Sequence, residues 1–202
     1  MRVRVALSAV AAAAAVAACG GNASPGPSAT AVPSGTASPT VTSTAGAGTA
    51  TPACDTSWGT KPKRAPSSRT APLVSIRGAQ HDCYDRLVFD IRPGGADGYS
   101  VEYVDEVLEE GSGKPVPLRG GARLAVVVQA PAYGDDGKPT YVPADRRELV
   151  DVTGWRTFRQ VAWAGSFEGQ STVGLGVRAE LPFRVLVTDG GTHIVVDVAH
   201  EP

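Results

Sequence analysis

Arg86-Leu87-Val88-Phe89-Asp90-Ile91-Arg92 puts Leu87, Phe89 and Ile91 on one side of an extended chain and Arg86, Asp90 and Arg92 on the other. Successive side chains of extended backbone point to opposite faces, so this two-residue period marks a half-buried strand. Outward from it the same period recurs. Tyr99, Val101 and Tyr103 alternate with Ser100 and Glu102. Residues 122–130 are apolar on both faces, with Leu124, Val126 and Val128 opposite Ala125 and Val127, which suits a central strand covered from both sides. Leu181-Pro182-Phe183-Arg184-Val185-Leu186-Val187 and His193-Ile194-Val195-Val196-Asp197-Val198 flank Asp189-Gly190-Gly191, a hairpin signal. Residues 72–78, 115–118, 148–153, 158–164 and 171–178 supply further strands. No stretch keeps a helical apolar stripe over three turns, and residues 104–110 are the one short helical candidate. The pattern predicts an all-β sandwich of two mainly antiparallel sheets with about eight to ten strands.

The N-terminal third has a different character. Met1-Arg2-Val3-Arg4 is a positive start, residues 5–16 are an uncharged apolar run, and Val16-Ala17-Ala18 leads into Cys19. That is the layout of an export signal. The run is shorter than the ~20 residues needed to span a bilayer. The approach to Cys19 resembles the lipobox of bacterial lipoproteins, which implies acylation of Cys19 and cleavage before it; the alternative is an ordinary signal peptide holding a cysteine near its cleavage site. Residues 1–18 are thus assigned as signal peptide, 19–69 as lipidated cysteine and tether, and 70–202 as the folded domain. The tether is built of Gly, Ala, Pro, Ser and Thr, and no charge occurs from Val5 to Cys54. Such composition cannot bury enough surface to offset its ordering entropy, so disorder is expected. Fifty residues of coil would average ~40 Å end to end.

Removing Arg2 and Arg4 takes the balance from 19 basic against 20 acidic residues to 17 against 20, a net charge of −3. This gives no electrostatic reason to expect nucleic acid. Only four of the basic residues are lysines, and the chain is rich in Ala, Gly, Val and Pro, the coding bias of a GC-rich genome, from which an actinobacterial source is expected. With Cys19 lipidated, Cys54 and Cys83 remain as a pair in an oxidising compartment, which reads as a disulfide, with two free thiols as the alternative. Closing a loop of this separation contributes about 3.5 kcal/mol on the chain-entropy model.

Several segments together resemble the AMIN-like domain of actinobacterial lipoproteins. They are His81-Asp82-Cys83-Tyr84-Asp85-Arg86-Leu87-Val88-Phe89, Gly98-Tyr99-Ser100-Val101-Glu102-Tyr103-Val104, Gly111-Ser112-Gly113, Phe167-Glu168-Gly169, Val173-Gly174-Leu175-Gly176-Val177, Pro182-Phe183-Arg184-Val185 and Val195-Val196-Asp197-Val198-Ala199-His200. Cys54, Trp58-Gly59 and Lys61-Pro62-Lys63 look like the entry segment of these proteins. The resemblance covers about residues 70–202 and implies a two-sheet β-sandwich related to modules that accompany wall amidases and envelope transport proteins. No amidase segment follows the domain in this sequence, so the module is expected to act alone or with partners.

No catalytic constellation is legible. Gly165-Ser166-Phe167-Glu168-Gly169 misses the spacing of a nucleophile elbow, and His-Glu-x-x-His is absent. On a strand His193 and Asp197 stand ~13 Å apart; they share no metal unaided and are expected to face solvent. His81-Asp82 and Asp85-Arg86 read as a strand-entry turn held by carboxylate hydrogen bonds and an Asp–Arg pair. Gly111-Ser112-Gly113-Lys114 reads as a turn. No catalytic residue, metal or cofactor is assigned. Two features stay open. Residues 131–147 form a long loop with Tyr133 and Tyr141. Trp155, Phe158, Trp163 and Phe167 crowd one region, where exposed aromatic faces could stack on sugars. Phe158 and Phe167 are expected in the core. Trp155 leads as a ligand-binding residue ahead of Trp163, with Tyr133 and Tyr141 as walls. The expected function is a non-catalytic module on the outer face of the cytoplasmic membrane, held by lipid and reaching peptidoglycan or wall glycan. The alternative is a protein-interaction lipoprotein that recruits or regulates an envelope enzyme. Mass spectrometry of the mature protein should find an acylated Cys19 at its N-terminus; an unmodified terminus elsewhere removes the anchor.

Overall fold

The computed structural model describes residues 54–202. The signal segment, the Cys19 lipidation site and the tether before Cys54 lie outside the described residues. Eleven strands are present among those described: β1 (Lys63–Ala65), β2 (Leu73–Gln80), β3 (Tyr84–Ile91), β4 (Tyr99–Tyr103), β5 (Val107–Leu108), β6 (Pro115–Val116), β7 (Ala122–Val128), β8 (Phe158–Phe167), β9 (Gln170–Val177), β10 (Phe183–Thr188) and β11 (His193–Ala199). They form a five-stranded sheet in the order β1-β4-β7-β9-β8, a four-stranded sheet in the order β10-β11-β3-β2, and the small ribbon β5-β6. Every pairing is antiparallel. The predicted sandwich is the observed fold, and the two main sheets hold nine strands.

The alternation places the core as expected. Leu87 and Phe89 are fully buried, as are Leu124, Val126 and Val128 from β7, and Ile194, Val196 and Val198 from β11. The outer face of the five-stranded sheet is lined with small residues because another segment lies across it. A Cβ at Gly174 would sit 2.8 Å from a Leu118 methyl, and one at Gly176 would sit 2.0 Å from the Arg119 carbonyl oxygen. The chain around β5 and β6 covers that face only because those two positions lack side chains.

Two expectations about elements are corrected. Residues 148–153 form no strand; the N–H of Thr153 bonds the Asp151 carboxylate, and Gly154 turns the chain at φ 77°. Residues 104–110 are not helical and contain β5. Order also begins earlier than residue 70. β1 pairs with β4, and Asp97 receives the N–H groups of Ser68 and Arg69, so folded chain extends into the stretch assigned to the tether. Hydrogen bonds from Ser68 and then Arg69 lower the Asp97 pKa to about 2. This clamp is in place above the usual carboxylate range and is lost as pH falls through about 2.

The Cys54–Cys83 disulfide forms, with Cα atoms 5.5 Å apart. Asp197, expected to face solvent, is fully buried, and so is Asp85. Asp197 lies in the row Arg184–Asp197–Arg86 and accepts Arg86 Nε at 2.6 Å and Arg184 Nε at 2.8 Å. Arg86 therefore pairs across strands with Asp197 instead of with Asp85. The buried Asp85 carboxylate accepts the N–H groups of Thr157 and Phe158, both at 2.8 Å, and Gln80 Nε2 at 3.2 Å. His200 Nε2 lies 2.9 Å from it, and His200 Nδ1 lies 3.1 Å from the Asp82 carbonyl oxygen. Asp85→Ala strands two buried backbone donors and a buried imidazole; it should cost about 3–5 kcal/mol in urea unfolding, whereas Arg77→Ala on the exposed face should cost under about 1 kcal/mol.

Candidate functional site

One depression lies beside the second half of β8. Trp163, Ala164, Gly165 and Ser166 form one wall, the 131–147 loop the other, and Glu110 closes one side. Its volume is about 510 Å³, within the range of small-molecule sites.

Local sequence explains each part. Between Trp163 and Gly165 the β8–β9 register slips by one residue. Gly165 has φ 134°, and a Cβ there would meet Glu110 Cβ at 2.9 Å, so the glycine admits Glu110 to the groove. Glu110 Oε1 accepts Thr172 Oγ1 and Gln170 Nε2. The same slip turns the hairpin tip over. Phe167, expected in the core, is 51% exposed, because the extra residue reverses the side from which β8 alternates. Phe158 is buried as expected, and a second slip, between Phe158 and Gln160, puts it on the same side as Val161 and Trp163.

The long loop is ordered by its own bonds. Gly134 N–H donates to the Lys138 carbonyl, Thr140 N–H to Ala132, and Ala132 N–H to Ser166 Oγ. Its return leg runs along the β8 edge: Trp163 N–H reaches the Arg146 carbonyl at 2.7 Å, and Leu149 N–H reaches Val161 at 2.8 Å. The Tyr133 hydroxyl accepts Gly169 N–H at 2.9 Å. Tyr141 meets Trp163 edge to face at 5.4 Å, and burial raises its phenol pKa. Val142 is 72% exposed on the rim. Arg146 also projects, its guanidinium no nearer than 4.0 Å to Glu109.

The structure thus brings Tyr133, Tyr141 and Trp163 to one groove and leaves Trp155 elsewhere. Trp155 is half-buried and stacks on Phe158 at 5.8 Å. It lines a separate recess of about 390 Å³ with the Arg119–Glu148 pair and Arg159. Trp163 is buried and lines the groove, so it is a wall more than an open platform. Glu110, Val142, Arg146 and Ser166 were not singled out from sequence. Glu110 carried no signal, since its place depends on the gap at Gly165. Arg146 and Val142 lay within the flagged loop.

The groove offers aromatic walls, one carboxylate, one guanidinium and a hydroxyl. Thr157, whose N–H bonds Asp85, donates its hydroxyl to the Ala199 carbonyl at 2.9 Å and is fully buried. Among the described residues no group of three or more His, Cys, Asp or Glu side chains is placed to hold a metal ion.

A model of the AMIN-like domain family matches residues 71–200. No curated protein and no solved structure matches the chain. Trp163→Ala should cost about 3–5 kcal/mol in thermal or urea unfolding, as for large core aromatics. Trp155→Ala should cost about half that, in keeping with its half-burial.

Proposed function

The chain belongs to the AMIN-like domain family, and from that premise we propose that it is a lipid-anchored, non-catalytic envelope module that binds peptidoglycan or wall glycan in the β8 groove. The family gives the coarser part, an envelope-associated binding module. One observation supports the finer reading: the groove and the point of chain entry lie at opposite ends of the sandwich. Cys54 is bridged to Cys83, which sits beside Asp85 and hence beside Phe158 at the start of β8. Groove residues Trp163 to Ser166 lie toward the other end of this ten-residue strand, which spans about 33 Å. A domain held from Cys54 by a lipid at Cys19 would present the groove away from the membrane.

The groove composition agrees with a sugar ligand. Aromatic walls offer apolar faces while Glu110, Ser166 and Arg146 offer acceptors and donors, the combination that orients a polar ring. The partners in this reading are the membrane, through the lipid, and wall polymer, through the groove.

The mature chain carrying Cys19→Ser should co-sediment saturably with isolated cell-wall sacculi. Arg146→Ala and Val142→Asp, both at exposed positions, should weaken that binding at least fivefold with melting temperature nearly unchanged, and Trp155→Ala should leave it intact. Absence of sedimentation, or equal binding by the two groove variants, overturns the assignment.

A further inference from the structure

The sheet edges of this sandwich are unequally protected. β1 is three residues long and lies between Pro62 and Pro66. β8 is covered by the return leg of the long loop and by Glu110 N–H, which bonds the Ala164 carbonyl. β2 carries a register irregularity between Leu73 and Ser75, and the Trp155 ring and Val150 close on Gly78. Short length, proline, bulges and covering segments are the usual ways of blunting an edge.

Among the described residues β10 is blunted only at its start, where Pro182 precedes it and Gly59 lies against Phe183. Phe183-Arg184-Val185-Leu186-Val187-Thr188 contains no Pro, Gly or Lys, and Val187 is 38% exposed. The N–H of Phe183 bonds the Gly59 carbonyl, on the side away from β11. Backbone groups of an antiparallel strand alternate in direction, so those of Val185 and Val187 point the same way. Among the described residues they have no backbone partner.

We propose that the β10 edge is a docking site for one extended segment of another envelope protein, an acidic residue of which pairs with Arg184. The site lies in the other sheet from the groove, so it goes beyond the glycan reading. Charge gives the acidic preference. Arg184 gives Nε to Asp197 and lies over Trp58 at 4.3 Å, while its terminal nitrogens make no hydrogen bond among the described residues. Lys63 Nζ stands 4.1 Å over the Phe183 ring at the same end, where Asp197 is shared between Arg184 and Arg86 and Asp55 lies near Arg184. The incoming strand therefore meets a cationic start and the apolar Val185 and Val187 beyond it. Strand addition draws affinity from main-chain bonds and specificity from alternate side chains.

A second copy suits the edge less well. Two β10 strands related by a two-fold axis would run antiparallel and point the Cys54 ends in opposite directions.

The test uses the mature chain carrying Cys19→Ser, isotopically labelled, and a blocked five-residue peptide of alternating threonine and valine ending in glutamate. The peptide should shift the amide resonances of Val185 and Val187 saturably and slow their hydrogen exchange at least tenfold. The same peptide ending in lysine should bind at least fivefold more weakly. Val187→Pro removes only an outward N–H and leaves the β10–β11 bonds, so it should abolish binding at nearly unchanged melting temperature. If that variant unfolds, Val187→Asp supplies the block by replacing the apolar contact with a charge set against the peptide's valine. Neither variant should change sacculus sedimentation, which separates failure here from failure of the glycan reading. Shifts scattered over the surface, indifference to both variants or to peptide charge, or self-association through β10 without peptide would each overturn the proposal.

Discussion

The Asp85 carboxylate joins the two sheets at the end where the chain enters. It stands on the inward side of β3, yet its hydrogen bonds go to β2 through Gln80, to the start of β8 through Thr157 and Phe158, and to the residue after β11 through His200. β3 lies in the four-stranded sheet and β8 in the five-stranded one. Apolar side chains hold the layers together without direction; this carboxylate sets how the strand ends meet. A buried charge is costly unless its lone pairs are filled, and four donors fill these. The same geometry closes the C-terminus: His200 N–H bonds the Cys83 carbonyl, beside the disulfide. Covalent bridge, buried carboxylate and chain end converge on one small region.

The outer faces are organised by opposite means. On the five-stranded sheet, Gly174 and Gly176 leave room for the 104–121 segment, and the face becomes a second interior. On the four-stranded sheet, Asp197 draws Arg184 and Arg86 into a row across β10, β11 and β3. The guanidiniums then lie against aromatic rings, Arg184 over Trp58 and Arg86 over Tyr84 at 5.1 Å. Hydrogen bonding to Asp197 raises the Arg86 pKa further. This row fixes strand register with side chains that stay partly wet, so one face is closed by packing and the other by charge.

How much of this was legible depends on the range over which each cause acts. Leu87-Val88-Phe89-Asp90-Ile91 declared its buried face because period-two alternation is local, and the β10–β11 hairpin declared itself through Asp189-Gly190-Gly191. β1 did not, since Lys63-Arg64-Ala65 between prolines has no apolar alternation and is a strand only because β4 offers an edge. Residues 148–153 alternated like a strand, yet the Asp151 turn and Gly154 decided otherwise. Phe167 followed the alternation of β8 until one residue of slippage reversed it. Asp197 read as surface because nothing in its own segment reveals that two arginines from other strands will cover it. Of the groove, the aromatic walls were visible as residue types; their grouping, which separates Trp155 from Trp163, depends on where the long loop crosses β8.

Unequal ends follow from this construction. At the disulfide end the chain termini of the domain, three strand ends and the buried carboxylate are tied to one another, leaving little for loop variation to change. At the other end the sheets are closed by loops whose bonds are mostly their own, such as Gly134 to Lys138 and Tyr133 to Gly169. Segments of that kind can alter side chains without disturbing the core, since their backbone groups are already paired among themselves. Gly165 makes the division physical: the one-residue slip there breaks the strict register of β8, opens space for Glu110, and turns Phe167 outward. A recognition surface can be built where the sheet stops dictating side-chain direction, and in this domain that point is the last third of β8.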